Sequence, residues 1–551
     1  MLYLKQFFIL LFFFQISEYV FGQDEMLPQT YWVYLTDKQH SEYSLDRPHE
    51  FLSTRSIEKR KRFNIPMSYS DLPVSEFYIG QIKETGVKII TASRWLNAIS
   101  IQSSDPEILA SILSLNCVSK IEPVRKMKRQ TEMPMLSIEN LKTTETNYYG
   151  LAGNQFGMIE GPFLHENGYT GNDMVIAVFD AGFIGVDTGV GFSSVWEKEQ
   201  ILGYWNFPDD NDSVFISSYH GANVFSIMAA DVPGVYVGAA PDAKYYLFRT
   251  EIVDSEYVAE EHFWLAGAEQ ADFLGVDIIN SSLSYTTFDN PDESHTYSDL
   301  DGNTTVITKA ADMAASKGIL VCTAAGNYGS DSWHYIGAPA DGDSVFAIGS
   351  VDGDRQYSSF SSVGPTADGR IKPDIATQGG NAAVLSSEGY VSIGSGTSYA
   401  SPLAAGASAI LWQAHPDKTN MEIMQALKQS ASIAKTPNNK LGWGIPNLFL
   451  ADLFLKGFDG QQNDELFTVF PNPVQTNLYL IVYDKITADA TIEIFDISGK
   501  KILVVQPEYS DTQINPIIIQ NFPQYTASGI YFIRVNTNSK SKTLEILVAN
   551  P

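Results

Sequence analysis

Met174-Val175-Ile176-Ala177-Val178-Phe179-Asp180-Ala181-Gly182-Phe183 is an unbroken apolar run that ends on an acid and a glycine. It is short, lacks alternating polar positions and has no amphipathic period, so it reads as a strand buried on both faces. Three further runs share the form. Asp277-Ile278-Ile279-Asn280 ends in Ser281-Ser282-Leu283-Ser284, Ile319-Leu320-Val321-Cys322-Thr323-Ala324-Ala325 ends at Gly326-Asn327, and Val345-Phe346-Ala347-Ile348-Gly349 is the fourth. Helical stretches separate them across about 150–457, which predicts an α/β fold with a largely parallel sheet and helices on both faces. Open sheets of this kind place their active sites at the carboxyl ends of the strands, the address of Asp180 and Asn327.

Working outward, one histidine and one serine fit this frame. His220 precedes Gly221-Ala222-Asn223-Val224-Phe225-Ser226-Ile227-Met228-Ala229-Ala230, a helix whose small residues can face the sheet. Gly396-Thr397-Ser398-Tyr399-Ala400-Ser401-Pro402 leads into Leu403-Ala404-Ala405-Gly406-Ala407 and presents a serine at the start of a buried helix. Pro402 is expected in that helix's first turn, where its missing N–H costs nothing. Taken alone, Ser398 reads as a helix cap or as a nucleophile, and capping is the commoner use. The order Asp180, His220, Ser398 is acid, base, nucleophile, the order of subtilisin rather than of chymotrypsin or the α/β-hydrolases. A lipase or esterase would need a Gly-x-Ser-x-Gly elbow ahead of the acid and the histidine, which this motif and order do not supply.

A length of 551 residues calls for about two to four domains, and 44% apolar residues allow a large core. The formal charge of −28 argues against a nucleic-acid partner and suits a soluble exported protein. Residues 23–129 hold 15 Lys/Arg against 13 Asp/Glu, whereas residues 130–551 hold 20 against 50, so the first segment differs in chemistry from the rest. Only Cys117 and Cys322 occur, too few for a disulfide framework. Residues 1–22 carry Lys5, the apolar run 7–14 and small residues near the end, a secretory signal peptide in form, with a signal anchor as the other reading.

Residues 23–129 read as a small α+β module, with strands at 31–35, 87–91, 96–101 and 118–123 and helices at 74–82 and 106–115. It ends in Arg125-Lys126-Met127-Lys128-Arg129, either a processing site or a solvated basic edge. Residues 130–150 are polar and irregular, as a linker and maturation region would be. From 464 to 551, short alternating runs at 478–482, 491–495, 502–505, 514–519, 530–535 and 544–548 predict a C-terminal β-sandwich.

Five blocks resemble the signatures of subtilisin-like serine peptidases: Ile176 to Gly182, His220-Gly221, Ala325-Gly326-Asn327, Phe360-Ser361-Ser362-Val363-Gly364-Pro365, and Gly396 to Pro402. They follow the family's order over about 300 residues. The resemblance implies a secreted endopeptidase acting through an acyl-enzyme. Ser398 is implied as nucleophile, His220 as general base and Asp180 as the group that orients it. Asn327 is implied as oxyanion donor, although alone it reads as a turn residue after a strand. Peptide or protein substrate is implied to lie extended beside Ser282, Leu283 and Ser284. Ser284 stands where the family usually has Gly, which puts the shape of the first specificity pocket in doubt. Ala222 stands where the family usually has Thr, and neither change removes a catalytic group.

The N-terminal module is similar to the inhibitory propeptides of such zymogens, which implies the chain's own propeptide as an inhibitory partner and a maturation cut near Arg125 to Arg129 or within 130–150. The last unit, with Phe470-Pro471-Asn472-Pro473, Ile497-Ser498-Gly499-Lys500 and Gly529-Ile530-Tyr531-Phe532, resembles the C-terminal sorting domain of type IX secretion cargo. That implies bacterial outer-membrane secretion machinery as a partner and a secreted or cell-surface location. An accessory carbohydrate- or protein-binding sandwich is the other reading of this unit. No cofactor is required for such chemistry. Calcium is a structural ion in many relatives, but Asp299-Leu300-Asp301-Gly302-Asn303 lacks EF-hand spacing and reads better as a turn, so no metal ligand is assigned. The rival from another class is a catalytically silent surface-binding protein on the same scaffold.

Overall fold

The computed structural model describes residues 29–124, 126–127, 136–137, 147–253, 256–257, 259–286, 294–457, 466–475, 477–507, 515–520 and 522–549. The expected signal peptide, most of the basic run at 125–129 and most of the linker therefore lie outside the described residues.

The centre is a seven-stranded sheet. Its spatial order is Ile375–Gln378, Phe346–Val351, Leu320–Ala324, Ile278–Ser281, Val175–Asp180, Lys244–Arg249, Ile201–Asn206, and every pairing in it is parallel. Val175–Asp180 is buried at every position, because each of its faces meets helices. Ile176 and Val178 pack with Val224, Phe225 and Leu403 of the helices His220–Ala229 and Thr397–Ala414. Val175, Ala177 and Phe179 pack with Trp264, Leu265 and Ile307 of Ala259–Leu274 and Val306–Ser316 on the other side. Chain order reverses beside Val175–Asp180, whose neighbours are Ile278–Ser281 on one side and Lys244–Arg249 on the other, so a crevice opens at their carboxyl ends.

Three strands of this sheet do not stand out in the sequence. Ile201–Asn206 is an edge strand with only its last residue buried, Lys244–Arg249 begins and ends on charge, and Ile375–Gln378 is four residues long and half polar.

The N-terminal unit is a four-stranded antiparallel sheet in the order Lys88–Ser93, Ala98–Ser103, Gln29–Leu35, Val118–Val124. Helices Glu76–Lys83 and Pro106–Leu113 close one face over Val33, Ile82, Ile99, Ile101 and Ile112. Helix Thr54–Arg62, capped by the Ser53 side chain, was not legible from periodicity, since what it buries is Ser56, Lys59 and Arg60 rather than an apolar stripe. Those residues meet the central unit. Arg60 lies 2.8 Å from Asp272 with neither side chain exposed, and Arg94 reaches the same carboxylate at 2.8 Å. Glu269 accepts from the backbone N–H groups of Arg94 at 3.0 Å and Trp95 at 3.1 Å, capping the turn between two strands. Beyond Val124 the backbone at Lys126–Met127 pairs antiparallel with Glu256–Tyr257, and Leu136–Ser137 pairs with Ser392 and Ile393.

The C-terminal unit is a sandwich of two antiparallel sheets. Phe467–Phe470, Leu478–Val482 and Asn515–Ile519 form one, and Lys501–Val505, Thr491–Asp496, Gly529–Asn536 and Ser541–Val548 the other. Leu478, Ile492, Ile533 and Ile546 fill the space between them. Alternate residues of Gly529–Asn536 point in and out, as a strand with one solvated face requires.

Candidate active site

Asp180 is the last residue of its strand, and its side chain is wholly buried. The backbone N–H of Ala181 donates to Oδ1 at 2.8 Å. His220 Nδ1 lies 2.9 Å from Oδ1 and 3.0 Å from Oδ2. A carboxylate only accepts, so Nδ1 is the nitrogen that carries the proton, which leaves Nε2 of the neutral ring as an acceptor. His220 begins its helix, with its N–H on Ser218 Oγ at 3.0 Å. The helix approaches the strand end this closely because residue 221 is glycine: a Cβ there would stand 2.4 Å from the carbonyl oxygen of Gly182.

Ser398 is the second residue of Thr397–Ala414 and is 8% exposed. A Cβ built on Gly396 would stand 2.8 Å from Ser398 Oγ, 3.6 Å from Asn327 Nδ2 and 3.7 Å from Ser398 N. One point beside the glycine therefore has a hydroxyl oxygen, an amide nitrogen and a backbone nitrogen within 3.7 Å. Asn327 is turned that way by Thr397, whose N–H and hydroxyl both donate to Asn327 Oδ1, at 2.8 and 3.0 Å. The Thr397 hydroxyl in turn accepts from Gly326 N at 3.2 Å. Tyr399 brings the two helices together, its ring 5.9 Å from that of His220.

Pro402 is a correction to the expected first-turn position. The helix begins at Thr397, which puts Pro402 in its interior. A proline there has no N–H for the carbonyl four residues earlier, that of Ser398. The Ser282 hydroxyl donates to this oxygen instead, at 2.9 Å. Ser282 is held in turn by Asn280, whose Nδ2 is 3.1 Å from its Oγ and whose Oδ1 accepts from Ser401 Oγ at 2.8 Å. The segment Ser282-Leu283-Ser284 thus runs directly past the helix that carries Ser398. Ser284 C=O accepts from the Tyr328 hydroxyl at 2.9 Å, and Tyr285 pairs with Ala338 through two backbone hydrogen bonds of 2.9 Å.

The sequence did not single out Thr397, Asn280, Ser401 or Tyr328. Thr397 had a visible signal, as a hydroxyl beside the serine in Gly-Thr-Ser. Asn280 and Ser401 are polar residues in an apolar strand and an apolar helix, which buried polar groups occupy only with a partner.

Among the described residues no three or more His, Cys, Asp or Glu side chains are grouped to hold a metal ion. In the loop near Asp299, that carboxylate accepts from Thr296 N, while Asp301 accepts from Asn303 N and the Thr304 hydroxyl. Thr305 then caps helix Val306–Ser316. Cys117 and Cys322 are both free and buried.

The model of the subtilase family matches residues 171–444, that of the peptidase S8 propeptide domain of Bacteroidota matches 30–136, and that of a secretion system C-terminal sorting domain matches 468–549. Subtilisin NAT of Bacillus subtilis subsp. natto is 31% identical over 277 residues, 50% of this chain and 64% of that protein, so the chain spans just under two thirds of this relative. Subtilisin of Bacillus pumilus is 31% identical over 277 residues and is covered to 89% of its length. Among solved structures, MycP1 from Mycobacterium smegmatis aligns at 19% identity with a TM-score of 0.45, over 59% of this chain and 89% of that one.

Proposed function

Because the chain belongs to the subtilase family of serine peptidases, we propose that it is a secreted endopeptidase that hydrolyses peptide bonds through an acyl-enzyme. The observation that carries this reading is the clustering of Ser398 Oγ, Ser398 N and Asn327 Nδ2 within 3.7 Å of one point, with His220 paired to buried Asp180 and its ring 5.9 Å from that of Tyr399, the residue after Ser398.

A hydroxyl is a weak nucleophile until a base takes its proton. In this reading His220 removes the Ser398 proton as Oγ attacks the scissile carbonyl. Asp180 holds the ring in the Nδ1–H tautomer and stabilises the imidazolium without itself taking the proton. Charge then builds on the carbonyl oxygen, where Asn327 Nδ2–H and Ser398 N–H receive it. His220 returns its proton to the leaving amine, and water follows the same path in reverse to release the acid product. Substrate lies extended along Ser282, Leu283 and Ser284.

The remaining units fit a zymogen made for export. Residues 1–22 act as signal peptide, 23–129 as inhibitory propeptide, 130–150 as linker and maturation region, 151–457 as the catalytic domain and 464–551 as the sorting domain. The sorting domain is read by the outer-membrane secretion machinery and delivers the enzyme to the cell surface or the medium. No cofactor takes part in any step.

The test is hydrolysis of casein by the secreted protein and by Ser398→Ala. Loss of cleavage in the variant supports the reading, and undiminished cleavage overturns it.

A further inference from the structure

Ser284 carries a buried hydroxyl that makes no hydrogen bond among the described residues. Its Oγ would lie 2.3 Å from a Cβ on Gly337 and 2.8 Å from a Cβ on Gly326, so it occupies the space that the two glycines leave open. The Ser362 hydroxyl, which accepts from Tyr328 N at 3.0 Å, borders the same space, 2.9 Å from the Gly326 position. Thr286 closes it from the side of Gly337 with a methyl group at 3.0 Å.

The gap opens one residue before Asn327. A peptide whose carbonyl carbon reaches Ser398 Oγ, with its oxygen at Asn327 Nδ2, extends along Ser282 to Ser284. The side chain of the residue that owns that carbonyl then points at the Ser284 hydroxyl, which already stands against Gly326 and leaves no room between them. An aromatic ring there would meet the Ser284 hydroxyl before reaching Gly337. An apolar side chain would leave that hydroxyl buried and unpaired, which disfavours it, whereas a side chain with its own hydroxyl satisfies it.

We propose that Ser284 sets the specificity of this peptidase, filling the first pocket so that cleavage follows small residues that can hydrogen-bond, serine foremost, and not large apolar ones. This rests on the peptidase reading above, and its test separates the two.

Quenched peptides identical except for serine, 2-aminobutyrate, leucine or phenylalanine before the scissile bond would be cleaved by wild type, Ser284→Ala and Ser284→Gly. Rates are normalised to Ser398 titrated with a fluorophosphonate, so that loss of folded protein drops out. Wild type should favour serine over 2-aminobutyrate by about tenfold and over phenylalanine by more, since a site built around a polar partner discriminates at least this well. Ser284→Ala should erase the preference for serine and, with the obstructing hydroxyl gone, begin to admit phenylalanine. Ser284→Gly should raise phenylalanine relative to serine by about tenfold or more. Labelled, active wild type that prefers leucine or phenylalanine, or ratios unchanged in Ser284→Gly, would overturn the assignment and leave the peptidase reading standing. Absence of both labelling and cleavage would defeat the peptidase reading itself.

Discussion

Thr397 gives both its backbone N–H and its hydroxyl to a single atom, Oδ1 of Asn327, at 2.8 and 3.0 Å. An amide whose oxygen is held twice cannot flip, so its NH₂ stays aimed at the point faced by Ser398. Asn327→Leu should lower kcat by about 10²–10³ with little change in KM, the size of effect known for one such donor in subtilisin. Thr397→Val keeps the shape but removes the hydroxyl, and should cost kcat roughly tenfold by loosening the amide. Steady-state kinetics on one peptide measures both. A larger loss in KM than in kcat would show that neither residue acts on the transition state.

Ser282 replaces a hydrogen bond that Pro402 makes impossible. Ser282→Ala leaves the Ser398 carbonyl unpaired in a buried place, which costs about 1–3 kcal/mol. Denaturant unfolding of this change in the Ser398→Ala background should show that loss. Adding Pro402→Ala, which restores an N–H for the carbonyl, should recover part of it, and no recovery would refute the exchange of partners.

Arg60 and Asp272 join the N-terminal unit to the central one with neither side chain exposed. Arg60 Nη1 also lies 3.0 Å from Asp71 Oδ1, though without hydrogen-bond alignment. Breaking such a pair by removing one partner strands a buried charge and costs about 3–5 kcal/mol. Asp272→Asn in the Ser398→Ala chain should therefore lower the thermal midpoint of the N-terminal unit. Changing Arg60→Met as well should lose less than the two single costs added together, because one of the two cations left without that carboxylate, Arg60 and Arg94, is gone.

Lys59 Nζ is buried against the Val276 carbonyl, and burial brings its pKa down to about 8, although Asp277 and Asp272 oppose the shift. In the unfolded chain the amine holds its proton to about 10.5. Between those values the unfolded state binds more protons, so stability gains with rising pH. Relative to Lys59→Met, the Ser398→Ala chain should gain at most about 1.4 kcal/mol per pH unit from pH 8 to 10.5. The comparison is needed because burial raises the Cys322 thiol and works the other way at alkaline pH. A gap between the two proteins that stays flat with pH would contradict this account of Lys59.

Much of the architecture was open to a reading of the sequence because burial on both faces leaves continuous apolar runs, as at Val175–Asp180. Edge strand Ile201–Asn206 was not, since half-exposed residues carry no such signal. Helix Thr54–Arg62 escaped because its buried face is ionic, and its partners Asp272 and Val276 lie more than 200 residues away. At the candidate site, Asp180, His220, Asn327 and Ser398 could be named from strand ends and chain order. Thr397, Asn280 and Ser401 gain meaning only from contacts between distant segments. Ser284 was visible as a departure from glycine, but its direction, into the space between Gly326 and Gly337, belongs to the fold.

The most direct measurement is covalent labelling of the secreted protein with a fluorophosphonate, followed by mapping of the modified peptide. A Ser398 activated by His220 should carry the label, lose it in Ser398→Ala and label far more slowly in His220→Ala, with casein hydrolysis falling in step. Label on another residue, or casein hydrolysis undiminished in Ser398→Ala, would contradict the assignment of Ser398 as the nucleophile.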